Sequence, residues 1–179
     1  MFTSAASTLP QTFQTSRDDA SHQRKLRKAD AMSNHTSHSA LAHEHEEIHA
    51  ALHRALELSG ETGAAARALA ELLKPHFEKE EQYVMPAVSV LGDVARGQVP
   101  DNMREIAASI EQLKAELSTM LSEHEAILHA ADRLRIAANQ EGQSEAAALA
   151  VNLKHHALVE EEVIYPAGVL VGEVLKCRA

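Results

Sequence analysis

The stretch "HFEKEEQYVMP" at residues 76–86 returns eighty residues later as "HALVEEEVIYP" at residues 156–166. One His, two Glu and one Pro hold the same places in both copies. A Glu four residues after a His puts an imidazole and a carboxylate one turn apart on the same helix face. Such a pair can be a hydrogen-bonded core contact. It can also be half of a metal site, because Fe, Mn and Zn all accept imidazole nitrogen and carboxylate oxygen together.

Helical phase separates the inward residues from the outward ones. With Leu69 at zero, His76 falls near −20° and Glu80 near +20° on a 100° helix. With Leu149 at zero, His156 and Glu160 take about the same two angles. Glu81, His155 and Glu161 lie roughly 100° or more away, on the flank or surface. In the segment around 41–58, His45 falls within the stripe of Leu41, Ile48, Leu52 and Leu56, with His49 at its edge and His53 outside. His124 falls within the stripe of Leu117, Leu121 and Leu128, and His129 does not. Each helix therefore aims one His inward, and two helices add a Glu. A Glu buried without a partner costs several kcal/mol. Two such Glu with four imidazoles read as one shared metal site rather than separate core contacts. The metal ligands expected are His45, His76, Glu80, His124, His156 and Glu160, with His49 as a further candidate. Tyr83, three residues after Glu80, is expected to face inward as a core aromatic or accessory donor. Pro75 is expected to bend the helix beside His76.

Four helical segments must position these side chains, at about 41–58, 63–85, 102–138 and 143–165. Their stripes include Leu69, Leu72, Leu73, Phe77, Tyr83 and Val84 in the second, and Ile106, Ile110, Leu113, Leu117, Leu121 and Leu128 in the third. Leu149, Leu153, Val163 and Ile164 mark the fourth. Pro86 and Pro166 are expected to stop or bend the second and fourth. Residues 87–101 read as a connector with one short helical turn. Asn102 and Glu105 form a capping-box pattern for the third helix. The C-terminal "AGVLVGEVLKCRA" reads as a further helical piece. "EHE" at 44–46 and at 123–125 extends the repeat, so the halves match. The expected architecture is an all-α, antiparallel, up-down four-helix bundle over 41–179 with a pseudo-twofold internal repeat, one metal centred on each half.

Composition agrees with helices. The 179 residues are 45% hydrophobic but 3% aromatic, with 7 Gly and 5 Pro. A net charge of −9 argues against nucleic acid or anionic membrane as partners. No apolar run reaches the roughly 20 residues of a membrane span. The lone Cys177 allows no internal disulfide and is compatible with a reducing cytoplasm. The unusual count is 12 His. Residues 1–40 are rich in Ser, Thr, Gln and Asn without helical periodicity, and read as a disordered tail. They carry the basic cluster Arg24, Lys25, Arg27 and Lys28, but no apolar core of a secretory signal. Met32 is an alternative start.

The motifs "EHEEIH", "HFEKEEQYVMP", "EHEAIL" and "HHALVEEEVIYP" together resemble the haemerythrin-like (HHE cation-binding) domain family over about residues 40–170. The resemblance implies a non-haem di-iron centre with an oxo or hydroxo bridge. His45, His76, His124 and His156 would be its ligands, with Glu80 and Glu160 bridging. The oxygen carriers of the family have H-x-x-x-H on the third helix; here Leu128 stands four after His124. They also use an Asp five residues after the last His, where this chain offers Glu160 four residues on. The chain looks closer to the branch with four His and two Glu, implicated in nitric-oxide response and iron–sulfur cluster repair. Expected partners are thus small diatomics, O2 or NO, in sensing, storage or stress response. The alternatives are a di-iron redox enzyme acting on peroxide or nitric oxide, and a metal-sensing or structural interaction module. Ferritin-like bundles use Glu-x-x-His, the reverse order at spacing three, and fit less well.

Overall fold

The computed structural model describes residues 41–178, and within them every regular element is helical. The tail and alternative start assigned to residues 1–40 lie outside the described residues. The first helix, α1, covers residues 41–56. α2 runs Gly60–Tyr83, α3 Met85–Ala95, α4 Met103–Gln140 and α5 Ser144–Val159. A π-helical turn, Glu160–Ile164, then leads into α6, Tyr165–Lys176. Together they form a helical bundle. Among the described residues, no helix is long and apolar enough to cross a membrane.

Both prolines start helices instead of ending them. Pro86 sits in the first turn of α3 and Pro166 in the first turn of α6, where a missing N–H has no helical partner to lose. The expected connector at 87–101 is therefore mostly helix. Its apolar residues Ala87, Val90 and Val94 pack on Ile106, Ile110, Val171 and Leu175. That burial outweighs the weak helix propensity of its valines. α2 continues through Pro75. The capping box at α4 does not form: Asn102 makes no side-chain cap bond, and its carbonyl instead accepts from the Glu105 and Ile106 amides.

A second apolar layer joins α1, α2, α4 and α5 through Ile48, Leu52, Leu69, Leu73, Phe77, Ile127, Leu134, Leu149 and Leu153. Fully buried leucines such as Leu69 and Leu134 contribute about 1.5–3 kcal/mol each. A third cluster holds Leu41, Val84, Met85, Val88, Leu113, Met120 and Tyr165. Between these two, every one of the four long helices carries buried polar residues: His45, then His76 and Glu80, then His124, then His156 and Glu160.

Two stripe assignments differ from the sequence reading. Leu121 is 37% exposed, and the buried seam of α4 instead runs through Met120, His124 and Ile127. Val163 is 55% exposed. It lies in the π turn, whose extra residue rotates everything after Glu160 relative to α-helical phase.

Candidate metal centre

Among the described residues, the buried histidines and carboxylates are His45, His76, Glu80, His124, His156 and Glu160. They fall into two groups, each offering four donor atoms within 4.8 Å of one another. The first is His45, Glu80, His156 and Glu160; the second is His76, Glu80, His124 and Glu160. Both carboxylates belong to both groups.

The distances show how the carboxylates are shared. His156 Nε2 lies 3.2 Å from Glu160 Oε1, and His45 Nε2 lies 3.7 Å from the same oxygen. His124 Nε2 lies 3.4 Å from the other oxygen, Glu160 Oε2. His45 Nε2 is 3.5 Å from Glu80 Oε2, while His76 Nε2 is 3.3 Å from Glu80 Oε1. His76 Nε2 and His124 Nε2 approach each other at 2.8 Å. Each group takes one His from each sequence half, so the expectation of one metal per half is corrected. The reason is helix packing: α2 lies on α4, and Arg54 of α1 reaches Glu145 of α5.

The far ring nitrogens face carboxylates that the sequence reading did not use. His76 Nδ1 donates to Glu123 Oε2 at 3.0 Å, and His124 Nδ1 donates to Glu161 Oε1 at 2.8 Å. His156 Nδ1 is 3.4 Å from Glu44 Oε2, without hydrogen-bond alignment. Lys79 holds Glu123 from the outside through a short ion pair. A proton on Nδ1 leaves the Nε2 lone pair free to face the group. The signal was present in the sequence: Glu44 and Glu123 are the residues before His45 and His124 in the repeated "EHE".

Electrostatics follow from burying two carboxylates beside four imidazoles. Burial raises the Glu80 carboxyl above its ordinary range; His76 opposes this and the Glu160 charge adds to it. Burial also acts to raise Glu160, but the close imidazoles of His124, His156 and His45, at 3.2–3.7 Å, win and hold it well below the ordinary value. Burial would lower His156, yet the close contact and charge of Glu160, with the charges of Glu80 and Glu44, hold it up at about 9. His76 is likewise raised against its burial by Glu80 and Glu123.

The donor set fits a metal pair. Among the described residues, six buried side-chain atoms make no hydrogen bond: His45 Nε2, Glu80 Oε2, both ring nitrogens of His156 and both oxygens of Glu160. Leaving a buried polar atom unpaired costs about 1–3 kcal/mol. Five of these six are donor atoms of the two groups, and cations placed among them would satisfy them. Nitrogen and oxygen without sulfur suit Fe, Mn or Zn.

The remaining candidates lie elsewhere. His49 is exposed, rests edge-on against Phe77 with ring centroids 5.1 Å apart, and belongs to neither group. Tyr83 is half-buried against the Leu41–Met120 cluster rather than beside Glu80. The tyrosine at the site is Tyr165, which the sequence reading missed. It is 1% exposed and donates to Glu80 Oε1 at 2.5 Å, with its oxygen 3.3 Å from His124 Nε2. Burial, followed by the charges of Glu80 and Glu160, raises its phenol far above the ordinary value. In α-helical phase Tyr165 would sit about 140° from Glu160. The π turn instead bonds the Tyr165 amide to the Glu160 carbonyl and brings the ring over the site.

An open apolar groove of about 400 Å³ reaches this tyrosine from the surface. Leu117, Leu121, Pro166, Val169 and Leu170 form its walls, with Glu161 and Tyr165 also lining it.

The chain matches the hemerythrin HHE cation binding domain over residues 36–168. No curated protein and no solved structure matches it.

Proposed function

The chain belongs to the hemerythrin HHE cation-binding domain family, and from that premise we propose that it is a di-iron protein reacting with O2 or NO in sensing, storage or stress response. The observation that carries this reading is the cluster of unpartnered buried donors: His45 Nε2, Glu80 Oε2, His156 Nε2 and both oxygens of Glu160. His45 and His156 would hold one iron, His76 and His124 the other, with Glu80 and Glu160 reaching both. Zn or Mn fits the same donors. When bound, iron supplies reversible one-electron chemistry toward a diatomic ligand.

The chain's own residues support such chemistry. Glu123 and Glu161 fix the ring orientation of His76 and His124. Tyr165 holds a proton at the groove side of the site, on its hydroxyl. Leu117, Leu121, Val169 and Leu170 offer an apolar approach that favours small uncharged ligands over ions. Cytoplasmic residence is part of the proposal, and the lone exposed Cys177 is compatible with a reducing compartment.

The proposal takes the bundle as antiparallel, up-and-down and pseudo-twofold. Its support is the order in which the helices meet the core. Along the chain, α1 and α4 pass from the Leu41–Met120 cluster through their His to the Leu69–Leu149 cluster. α2, and α5 followed by the π turn and the start of α6, meet these clusters in the reverse order.

The test is metal analysis with absorption spectroscopy. Protein loaded anaerobically with iron is expected to hold about two irons per chain and to change its near-UV and visible bands with O2 or NO. Protein that takes zinc but not iron, with no spectral response to either gas, would sink the reading.

A further inference from the structure

The two groups share both carboxylates but are not chemically equal. In the His45/His156 group all four facing donors, His45 Nε2, His156 Nε2, Glu80 Oε2 and Glu160 Oε1, lack an aligned hydrogen bond and meet one another only as charge contacts at 3.2–3.7 Å. In the His76/His124 group Glu160 Oε2 is likewise without one. Glu80 Oε1 is engaged by the Tyr165 hydroxyl at 2.5 Å. His76 Nε2 and His124 Nε2 lie 2.8 Å apart as two lone pairs, since both rings carry their proton on Nδ1, and the Tyr165 oxygen lies 3.3 Å from His124 Nε2, so Tyr165 is the protein group that sets this side apart.

The repeat locates the source of this inequality. The residue five after Glu160 is Tyr165, and the residue five after Glu80 is Met85, which has no hydroxyl. The π turn that aims Tyr165 inward follows Glu160 only; after Glu80 the chain closes an ordinary α-helical bond from the Val84 amide.

We propose that Tyr165 is a positioning residue that makes metal loading sequential: it withholds Glu80 Oε1 from the His76/His124 group, so the His45/His156 group fills first and more tightly. The proposal rests on the metal-binding reading above and adds to it an order and a residue that sets it. Glu160, with neither oxygen held by a hydroxyl, faces the first group through Oε1 and the second through Oε2. Glu80 serves the first group through Oε2 and the second only when Tyr165 releases Oε1. Hydrogen bonds to a charged carboxylate are strong enough to separate the two affinities by about 10- to 100-fold.

The experiment is an anaerobic titration of the full-length metal-free chain with Co(II), followed by visible absorption and by tyrosine emission. The chain has 2 Tyr and 0 Trp, so a Tyr83→Phe background isolates Tyr165. Two steps are expected, the second at least about tenfold weaker. The Tyr165 emission should change with the second equivalent and not with the first. Tyr165→Phe keeps the ring and should tighten the second step by about tenfold or more while leaving the first within about twofold. His45→Ala should remove the tight step, and His124→Ala the weak one. Equal steps in the unaltered protein overturn the proposal without needing any variant. So does a second step weakened by Tyr165→Phe, which would make the tyrosine a ligand. Binding of two Co(II) that ignores Tyr165 overturns this inference alone. Binding of none overturns the metal reading as well.

Discussion

Glu123 Oε2 accepts a hydrogen bond from His76 Nδ1 at 3.0 Å, and its other oxygen is held by Lys79. Burial acts to raise Glu123, but Lys79 and His76 keep it below the ordinary carboxylate value. It is therefore an ionised acceptor, which fixes the His76 proton on Nδ1 and turns Nε2 toward Glu80 and His124. Glu161 does the same for His124 at 2.8 Å. Glu123→Ala or Glu161→Ala should weaken metal binding by about 10–100-fold, because such partners orient a ligand and raise its basicity. Competition with a chelator of known affinity measures this. Unchanged affinity in both variants would remove these carboxylates from any role at the site.

Gly60 and Glu141 form a cap built from opposite halves of the chain. The Glu141 carboxylate accepts from the Glu61 amide at 2.9 Å, the Thr62 amide at 3.1 Å and the Thr62 hydroxyl at 2.6 Å. These bonds satisfy free N–H groups at the start of α2 and meet the positive end of its dipole. Gly60 has φ +74°, and a Cβ there would meet Glu141 Oε1 at 2.4 Å. Gly60→Ala is expected to destabilise by about 1–3 kcal/mol through left-handed strain, with displacement of the cap besides. The Thr62 hydroxyl and the two amides lower the Glu141 carboxyl below its ordinary value. A depressed folded value stabilises above the unfolded value of 4.5 and is lost as pH falls through the folded one. Glu141→Ala should thus lower the melting temperature at about pH 7 and have a smaller effect at an acidic pH below 4.5. Thermal melts followed by circular dichroism at both pH values check it; an equal deficit at both would show that the charge is not what matters.

Gly172 marks a close approach of α6 to α4. A Cβ there would lie 2.5 Å from Ile110 Cγ2, and Ile110 is fully buried. A branched side chain inside a packed core has little room to yield, so Gly172→Ala should cost about 1–3 kcal/mol. Gly97, whose Cβ would meet nothing within 4 Å, has φ +82° and isolates the conformational effect alone. Chemical denaturation of the two alanine variants separates clash from backbone strain. Gly172→Ala matching the parent protein would mean that the two helices can separate freely at this point.

The buried layer of His and Glu was legible because α-helical phase is regular wherever the helix is regular. His45, His76, Glu80, His124, His156 and Glu160 all lie where a 100° rotation puts them. The phase argument fails at two kinds of place. At Glu160–Ile164 the π turn adds a residue, so Val163 leaves the core and Tyr165 enters it, and no local composition marks that turn. At Pro86 and Pro166 a residue type was read as a stop, although its place in a helix depends on whether its N–H is needed. The apolar residues after each proline, such as Val90 and Val171, find partners in α4, and that tertiary contact decides for helix. His49 shows the limit at a stripe edge: a turn from His45, it lies outside both groups and packs on Phe77 instead.

Glu80 and Glu160 face the same four imidazoles, and their charges oppose each other in the metal-free protein. Burial and the Glu160 charge raise the Glu80 carboxyl, so holding this group buried at neutral pH works against folding until a cation offsets it. Glu80→Gln removes that charge, keeps the side-chain length and leaves a carbonyl oxygen for Tyr165 to bond. It should therefore act in opposite directions in the two states. Without metal, the variant should melt higher than the parent by roughly 2–4 °C, the shift of about 1 kcal/mol in a chain of this size. With excess metal, the parent should gain stability by mass action, about 2.7 kcal/mol at a hundredfold excess over the dissociation constant. The variant, lacking a shared anionic ligand, should gain much less, so the order of melting temperatures reverses. Calorimetry with chelator and with added Fe(II), both anaerobic, gives the four values. A variant less stable than the parent in both states would show that Glu80 supports the fold without metal, and that its charge is already neutralised inside the protein.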